Sequence, residues 1–415
     1  MDSPSSVATN GRTGRTRQII HRLSLRYLII PPIIFAILTG LALFVHSDTN
    51  IAMLYSQCHA RARLPFISKT IPLLGTPICF LVSFFQEAVA SAHKSMPLMS
   101  GALSFIGGLL TVSMVESSRI CNQPNILIAY PTGPWIVFNL VGGALVWQLV
   151  IIPAFFKRSR EIIIARRNGI TGGADLSGPT DPNFGQSMRH LDKVAETVAI
   201  PVAVALGYIL PSALVIFLPD DKNDLAKPIT ILIMLLFPLW VSLIRQAVHA
   251  LIVVLPTRFL PAAFAPENHE EPTPRSFHLE SNPPALAAVY LLPIICSALS
   301  HIYFIWSLFQ TDDRKEMTRA TMKFIVIDMF FIGITALYWL FVEAGWRVTL
   351  VMIGASVILG PGAGVCLGWV YRESVVDPDR SVTVVAVGAR SESERRGSRD
   401  RDGSPASEET PLLRA

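Results

Sequence analysis

Residues 111–135 read TVSMVESSRICNQPNILIAYPTGPW, and this stretch joins two long apolar runs of the chain. Its first residues end one apolar run, and its last residues begin the next. Between them lie an acid, a base, three amide side chains and three helix-breaking residues: Glu116, Arg119, Asn122, Gln123, Asn125, Pro131, Gly133 and Pro134. A polar seam of this kind indicates bilayer-spanning segments that are joined by short connections.

The composition of the whole chain supports this interpretation. Of its 415 residues, 51% are hydrophobic and 16% are charged, and the mean hydropathy is +0.47. Soluble domains carry about 25% charged residues, so this chain lacks the polar residues that a water-facing surface needs. We therefore predict an all-α fold, a polytopic integral membrane helical bundle with about eight or nine transmembrane helices. Basic loops beside a membrane explain the formal charge of +5, and no nucleic-acid partner is expected.

Nine apolar segments can be marked along the chain, at about 25–45, 71–90, 97–115, 134–156, 196–218, 226–255, 285–309, 321–342 and 347–371. The first is too long for the core of a signal peptide, so we predict that it is retained as a span. The sixth is overlong, which leaves open a tilt, a kink at Pro238 or an interfacial extension. EAGWR alone separates the last two, which form either a tight antiparallel pair or one broken element.

Charge patterning divides the chain into a basic cytosolic N-terminal segment (1–24), the transmembrane bundle (25–371) and a disordered charged tail (372–415). The N-terminal segment and KRSREIIIARR at 157–167 are both basic, and the positive-inside rule places both in the cytosol. That placement requires an even number of spans between them. TDDRKEMTRATMK at 311–323 does not fit the same scheme, so the side of the C-terminus stays open.

Ionisable residues inside apolar segments are the candidates for chemistry, because each is costly in a bilayer unless it is paired or faces a cavity. We predict Glu87, Glu116 and Asp328 as catalytic carboxyl groups, and Asp328 lies nearest the middle of its segment. The alternatives are a solvated helix end for Glu87 and a local ion pair with Arg119 for Glu116. Further ionisable residues in or beside the apolar segments are Glu196, Arg245, His249, His301 and Glu343.

Several soluble-enzyme motifs are absent from the sequence, which has no Gly-rich phosphate loop, no HExxH and no GxSxG. DDKND at 220–224 fits the DDxxD pattern of terpenoid synthases, but it follows Pro219 in a short loop and is interpreted as a chance match. The cysteines lack a metal-ligand spacing and say nothing about disulfides, and Cys79, Cys296 and Cys366 are expected as packing residues. We predict no metal site and no cofactor.

Polar and aromatic residues near these acids are the predicted substrate-binding residues: Arg119, Asn122, Trp135, Trp147, Tyr338 and Trp339. Arg119 and Asn122 are expected to cap a bundle cavity together with Glu116. YPTGP at 130–134 is expected to break the next helix, so that its backbone bends around a ligand. Aromatic faces stabilise a desolvated cation by about 2 kcal/mol. The alternatives are an ordinary connecting loop and aromatic residues that serve as interfacial belt or core packing.

Segments two to four carry a family resemblance. GTPICFLVSFFQEAVAS and ESSRICNQPNILIAYPTGPWIVFNLVGGALVWQLVIIPAF resemble the membrane-bound terpene cyclases of filamentous-fungal meroterpenoid pathways, of the ascochlorin/ascofuranone and macrophorin type. The resemblance covers about ninety residues, together with overall hydropathy and length. Membrane proteins of indole-diterpene clusters have a similar profile, so the resemblance does not specify the reaction.

The resemblance implies cyclisation of a farnesyl or epoxyfarnesyl chain on an aromatic precursor, initiated by protonation of an epoxide or alkene. Such a reaction needs a carboxyl group kept protonated near neutral pH and a dry cavity, and it needs no metal. The implied partners are a lipophilic prenylated aromatic substrate, membrane lipids and pathway enzymes in the same membrane, and the implied location is the endoplasmic reticulum. A transporter and a non-catalytic scaffold are the alternative functions.

Overall fold

The computed structural model of the chain describes residues 23–46, 72–167, 189–218, 225–254 and 279–376. Within these ranges every regular element is helical, apart from one β-bridge between Arg119 and Leu191. The predicted all-α class is therefore confirmed. DDKND at 220–224 and most of the N-terminal and C-terminal segments lie outside the described residues.

The helices in chain order are α1 (Leu25–Val45), α2 (Pro72–Ala88), α3 (Ser95–Ser117), α4 (Ile126–Ala129), α5 (Thr132–Val141), α6 (Gly143–Val146), α7 (Ile152–Arg167), α8 (Glu196–Val204), α9 (Leu210–Phe217), α10 (Ala226–Leu235), α11 (Phe237–Val254), α12 (Pro283–Leu308), α13 (Glu316–Ala344), α14 (Trp346–Leu359) and α15 (Pro361–Val376). π-Helical turns at Trp147–Ile151 and Ala205–Ile209 join α6 to α7 and α8 to α9.

Five helical stretches of the described chain are long and apolar enough to cross a bilayer: Leu25–Val45, Ser95–Ser117, Glu196–Phe217, Pro283–Leu308 and Glu316–Ala344. The pair α10 and α11, bent by 68°, is a sixth candidate. This bend lies beside Pro238. Of the possibilities for the overlong sixth segment, the structure therefore shows a kink near this proline. The predicted count of eight or nine transmembrane helices is not confirmed, because two of the nine apolar segments fold back on themselves and the second segment forms only the 17-residue helix α2.

The fourth apolar segment forms the first of these hairpins. Gly142 breaks it between α5 and α6 with a φ of 113°, in the left-handed region that favours glycine. From there the chain runs parallel to α13, as three contacts record: Gly143 with Asp328, Gln148 with Thr335, and Ser159 with Glu343. α5 begins near the end of α3, since the Trp135 indole donates to the Ser113 hydroxyl at 3.1 Å. Both arms therefore open toward the same end of the bundle.

The last apolar segment forms the second hairpin. Gly360, with a φ of 89°, separates α14 from α15, and the Ala363 amide donates to Ser297 in the middle of α12 at 2.9 Å. α15 then returns toward the end of α13, where Arg372 contacts Glu343. Helices of 14 and 16 residues are about 21 and 24 Å long, shorter than a bilayer core of about 30 Å. We interpret both hairpins as re-entrant.

The end of the bundle where Arg372 contacts both Glu116 and Glu343 is called the polar end here. α1 also begins at the polar end, because the Tyr338 hydroxyl donates to the Leu28 carbonyl at 3.0 Å. α7 ends there with the basic stretch that the positive-inside rule places beside α1 in the cytosol. The structure thus brings the start of α1 and the basic end of α7 to one end. The connection between α12 and α13 lies at the opposite end, where Asp313 contacts Ser91.

One sequence expectation is corrected. Cys79 is disulfide-bonded, so it is not a plain packing residue, whereas Cys296 and Cys366 form no disulfide. The boundary of the tail at residue 372 stays a prediction; α15 continues to Val376, and Arg372 is 1% exposed. A buried guanidinium with ion-pair partners belongs to the folded bundle.

Candidate functional site

The polar seam of the sequence folds into a buried ion network at the polar end. Glu116 Oε1 accepts hydrogen bonds from Arg119 Nε (3.0 Å), Arg372 Nη1 (3.2 Å) and the Trp369 indole (2.9 Å), and Oε2 accepts one from Asn122 Nδ2 (2.9 Å). Arg119 is 0% and Glu116 1% exposed. The local pair of Glu116 and Arg119, one of the two alternatives for this seam, is thus present, but as part of a larger network.

Two further acids and two further arginines complete the ion network. Arg372 donates to both Glu343 oxygens, at 2.8 and 2.7 Å, and Arg189 Nη2 lies 3.6 Å from Glu343 Oε1. Arg119 Nη2 donates to Glu280 Oε1 at 2.5 Å, and its Nη1 donates to the Arg189 carbonyl at 2.6 Å. The members come from α3 and the stretch that follows it, from α13 and α15, and from the stretches that precede α8 and α12. Because each buried charge has an opposite partner, the network joins these elements.

An aromatic column leads from the ion network into the bundle. Its rings contact one another in sequence, with centroids 4.2 to 6.3 Å apart, in the order Trp369, Trp339, Trp147, Trp135, Phe237 and Tyr208, with Phe155 packed on Trp339. The guanidinium of Arg372 lies 4.4 Å from the Trp369 ring centroid, a cation–π contact. Three predicted binding residues, Trp135, Trp147 and Trp339, belong to this column and are 0 to 1% exposed. Their rings pack on each other, so these three residues have the contacts expected if they serve as core packing instead of substrate binding.

Tyr338, the fourth predicted aromatic residue, lies apart from this column. Its ring packs edge-on against Phe35 of α1 and Phe156 of α7, and its hydroxyl bonds to the Leu28 backbone. These contacts fasten α1 to α13. The structure therefore brings Trp135, Trp147 and Trp339 together but leaves Tyr338 at a helix interface.

Asp328 occupies the tip of the first hairpin. Its Oδ2 accepts the Gly143 amide at 3.0 Å and its Oδ1 accepts the Ala144 amide at 2.9 Å, so the carboxyl caps the first turn of α6. The side chain is partly exposed, and among the described residues it has no cationic partner. About 15 residues of α13 separate Asp328 from Glu343, roughly 22 Å along the helix axis. Asp328 is therefore deep within the bundle and remote from the ion network.

Glu87 lies at the opposite end of the bundle, in the last turn of α2. Its Oε1 accepts the Thr318 hydroxyl at 2.7 Å, and it has no ion-pair partner among the described residues. The side chain is half-buried. The three predicted catalytic carboxyl groups thus lie at three separate places, and the structure does not bring them together.

A cleft of about 300 Å³ lies at the polar end between α11 and the segment before α5. Its lining combines charged, imidazole and apolar side chains: Met114, Ala129, Tyr130, Pro131, Thr132, Lys193, Glu196, Ser242, Arg245, Gln246 and His249. Arg245 Nε donates to Glu196 Oε2 at 2.8 Å, and its other nitrogens donate to the hydroxyls of Ser117 (3.0 Å) and Ser118 (2.8 Å). This cleft is the candidate functional site.

None of the residues predicted as catalytic or substrate-binding lines this cleft. Arg245 and His249, four residues apart, share the helix face that lines it, and their spacing indicates a shared face but no role. Lys193 and Tyr130 carry no such signal, because a loop lysine and a tyrosine beside a proline are common. Arg372 and Glu280 of the ion network were missed for a related reason. Their partners lie far away in the sequence, and no local pattern links them.

The described residues were also compared with the ligand sets that metal ions need. Among the described residues, no group of three or more His, Cys, Asp or Glu side chains is placed to hold a metal ion.

Residues 33–312, which are 280 of the 415 residues, match the family model of the CtvD domain. No curated protein and no solved structure matches the chain. Glu87, the seam at 116–122 and every residue that lines the cleft fall within the matched range, whereas Asp328, Tyr338 and Trp339 follow it.

Proposed function

The chain belongs to the CtvD domain family, and from this membership we propose that it is an integral membrane cyclase of fungal secondary metabolism. Its substrate is a lipophilic precursor with a farnesyl or epoxyfarnesyl chain on an aromatic head. Such a molecule dissolves in the bilayer, so an enzyme embedded there meets it directly. The endoplasmic reticulum, where lipophilic intermediates and other membrane enzymes of a pathway meet, is the proposed location.

The observation that carries this proposal is the course of α5. Pro131 and Thr132 at its start line the cleft, and Gly142 at its end adjoins the Asp328 carboxyl. Ten helical residues span about 15 Å, a distance that an extended farnesyl chain also covers. Val137 and Leu140 of the same helix are 45% and 55% exposed, which gives an apolar chain a lipid-facing path between the two places.

The reaction is an isomerisation that begins with proton donation. A carboxylic acid protonates the epoxide oxygen or a terminal alkene, the carbon–oxygen bond breaks or a carbocation forms, and an internal alkene closes the ring. Loss of a proton to a base ends the sequence, so that atoms and electrons balance without an oxidant. General acid catalysis of this kind typically contributes about 10²–10⁴-fold.

The contacts of the three predicted carboxyl groups favour different roles. Glu116 touches two guanidinium groups, which stabilise its ionised form and suit an anchor or a proton acceptor. Glu87 and Asp328 have no cationic partner among the described residues, so either can serve as the donor. We propose Asp328, because it adjoins the far end of α5.

Microsomes that contain the full chain, incubated with a farnesylated aromatic epoxide, test this proposal. Conversion to a product of the same mass, followed by chromatography and mass spectrometry, is the expected result. Asp328→Asn should reduce turnover by at least about a hundredfold, whereas Asp328→Glu, which keeps the acid, should retain part of it. Glu87→Gln serves as the comparison, because it removes the acid from the other predicted carboxyl group that has no cationic partner among the described residues. Full turnover by Asp328→Asn would contradict the assignment of the acid.

The two re-entrant hairpins favour a second candidate, a transporter. Broken helices whose tips reach the bundle interior are typical of secondary transporters, and Asp328 at the N-terminus of α6 occupies such a tip. The same microsomes discriminate between the two functions. Saturable uptake of the substrate without formation of an isomer would support transport and overturn the cyclase.

A further inference from the structure

The cleft has two cationic side chains, of which only one is neutralised within it. Glu196 is 9% exposed, and its Oε2 is occupied by Arg245 Nε at 2.8 Å. The remaining Arg245 donors are directed to Ser117 and Ser118. Lys193 is exposed at the rim and has no ion-pair partner among the described residues. The cleft therefore presents net positive charge to a ligand.

His249 provides a second and independent observation. Its Nε2 is sealed from water and has no hydrogen-bond partner within the described part of the chain. Most buried polar atoms in proteins are paired, and one that is left unpaired costs about 1–3 kcal/mol. Because His249 lines the cleft, a rotation of its ring would bring this nitrogen to a ligand oxygen bound there, which would supply the missing partner. Tyr130, Arg245, Glu196 and Lys193 are the other titratable groups that line the cleft.

The size and surroundings of the cleft restrict what it can hold. A volume of about 300 Å³ is at the lower limit for small-molecule pockets, enough for a substituted ring but small for a ring with a complete farnesyl chain. Met114 and Pro131 provide apolar walls, and the neighbouring Leu127 and Leu243 are 43% and 56% exposed. These features suit a ligand with a polar head and an apolar chain that leaves the cleft.

We propose that this cleft binds the oxygen-bearing head of an amphiphilic substrate, a carboxylate, phenolate or enolate, with His249 and Lys193 as its hydrogen-bond donors. The inference rests on the proposed function, since a head bound here lets the chain follow α5 toward Asp328. An anionic phospholipid head shares this chemistry, and the test separates the two sources.

Binding to the detergent-solubilised full-length chain tests the proposal without any turnover. The probe is a tritiated dihydroxybenzoic acid with a saturated farnesyl chain, compared with its methyl ester. The wild type should prefer the acid over the ester. His249→Phe should weaken acid binding about tenfold, and His249→Gln, which keeps a donor, should restore it to within about twofold. Lys193→Met should weaken acid binding about threefold.

The controls separate this inference from the cyclase assignment. Lys157→Met removes an exposed lysine of α7 that lies outside the cleft, and it should leave both affinities unchanged. Equal affinities of acid and ester in the wild type, or equal losses in Lys157→Met and Lys193→Met, would overturn the head site. A preserved acid preference without ring closure in microsomes would overturn only the cyclase. Loss of the acid preference in nanodiscs that contain phosphatidylserine would assign the cleft to lipid instead.

Discussion

Arg372 and Glu343 form a two-point ion pair, with Nε 2.8 Å from Oε2 and Nη2 2.7 Å from Oε1. The pair is 1% and 3% exposed, and it fastens the returning arm of the second hairpin to α13. Through the contact of Arg372 with Glu116, it also connects α15 to α3. These ion pairs hold the C-terminal arm of the second hairpin, which we interpret as re-entrant, against α13 and α3.

Removal of one partner from this ion pair should destabilise the protein strongly. Arg372→Met leaves the carboxylates of Glu343 and Glu116 buried without their shared cation, which typically costs about 3–5 kcal/mol. The free energy of unfolding in detergent micelles measures the loss. Glu161→Gln is the matched control, because Glu161 is 46% exposed in its pair with Arg158 and this pair should contribute less than about 1 kcal/mol. Equal effects of the two substitutions would contradict a structural role for the buried pair.

The tip of the first hairpin depends on the left-handed backbone of Gly142. Gly142→Ala should lower the free energy of unfolding by about 1–2 kcal/mol, since an L residue is strained at a φ of 113°. Space is not the cause, because an added Cβ would lie 3.6 Å from Asp328 Oδ1, an ordinary contact. Gly133→Ala, in the helical part of α5 with no atom within 4 Å of the added Cβ, should be neutral or stabilising. A larger loss at Gly133 than at Gly142 would argue against the hairpin.

The positions of the helix ends predict which loops face the cytosol. The start of α1 and the end of α7 lie at the polar end, whereas the connection of α12 to α13 lies at the other. In sealed microsomes, a cysteine in place of Lys157 should react with an impermeant maleimide, and one in place of Thr311 should react only after detergent is added. The unsubstituted chain gives the background labelling. Labelling of Thr311→Cys before detergent would reverse this topology.

Asp313 predicts a local pH dependence at the opposite end. Asp313 is exposed, and a slight desolvation raises the pKa of its carboxyl, but hydrogen bonds from the Ser91 hydroxyl and the His93 amide outweigh this and lower the pKa below the ordinary 3.8. A carboxyl with a lowered folded-state pKa stabilises the fold above its unfolded-state pKa, and this contribution is lost as pH falls through the folded-state value. Asp313→Asn should therefore cost about 0.5–1 kcal/mol at pH 7, and its difference from the wild type should disappear in acid.

Unfolding of the two proteins at neutral and acid pH measures this difference. Asp312→Asn is the control, because the hydrogen bonds of Asp312 come from Arg314 in the same connection and its other ion pair is with Arg319 of the adjoining α13, so it makes no contact with Ser91 or His93. A difference between Asp313→Asn and wild type that persists unchanged in acid would exclude the hydrogen-bonded carboxylate as its cause.

The helical spacing of residues in the sequence was sufficient to predict some of the side-chain neighbours in the candidate region. Glu116 and Arg119 are three residues apart, so a helical turn places them side by side wherever the helix lies. The same reasoning places Arg245 and His249 on one face of α11. The bend between α10 and α11 follows from an apolar segment that is too long for one span and carries Pro238.

The hairpins could not be predicted in this way. Residues 134–156 form one apolar segment, and Gly142 within it has the same hydropathy in a straight span as in a sharp turn. What decides between the two is Asp328, more than 180 residues further along, whose carboxyl accepts the amides that the break exposes.

The sequence by itself therefore determined that this protein is a helical membrane protein, where its apolar segments lie, and which charged residues share a helix face. Tertiary structure alone decided that two segments turn back inside the bundle, that Glu116 meets Arg372 across 256 residues, and that Glu196 and His249 line one cleft. The physical reason is that two properties depend only on residues near one another along the chain. These are the free energy of transfer of a segment to the bilayer and the helix face on which each side chain lies. The partners of buried charges and exposed backbone amides depend on which helices pack together.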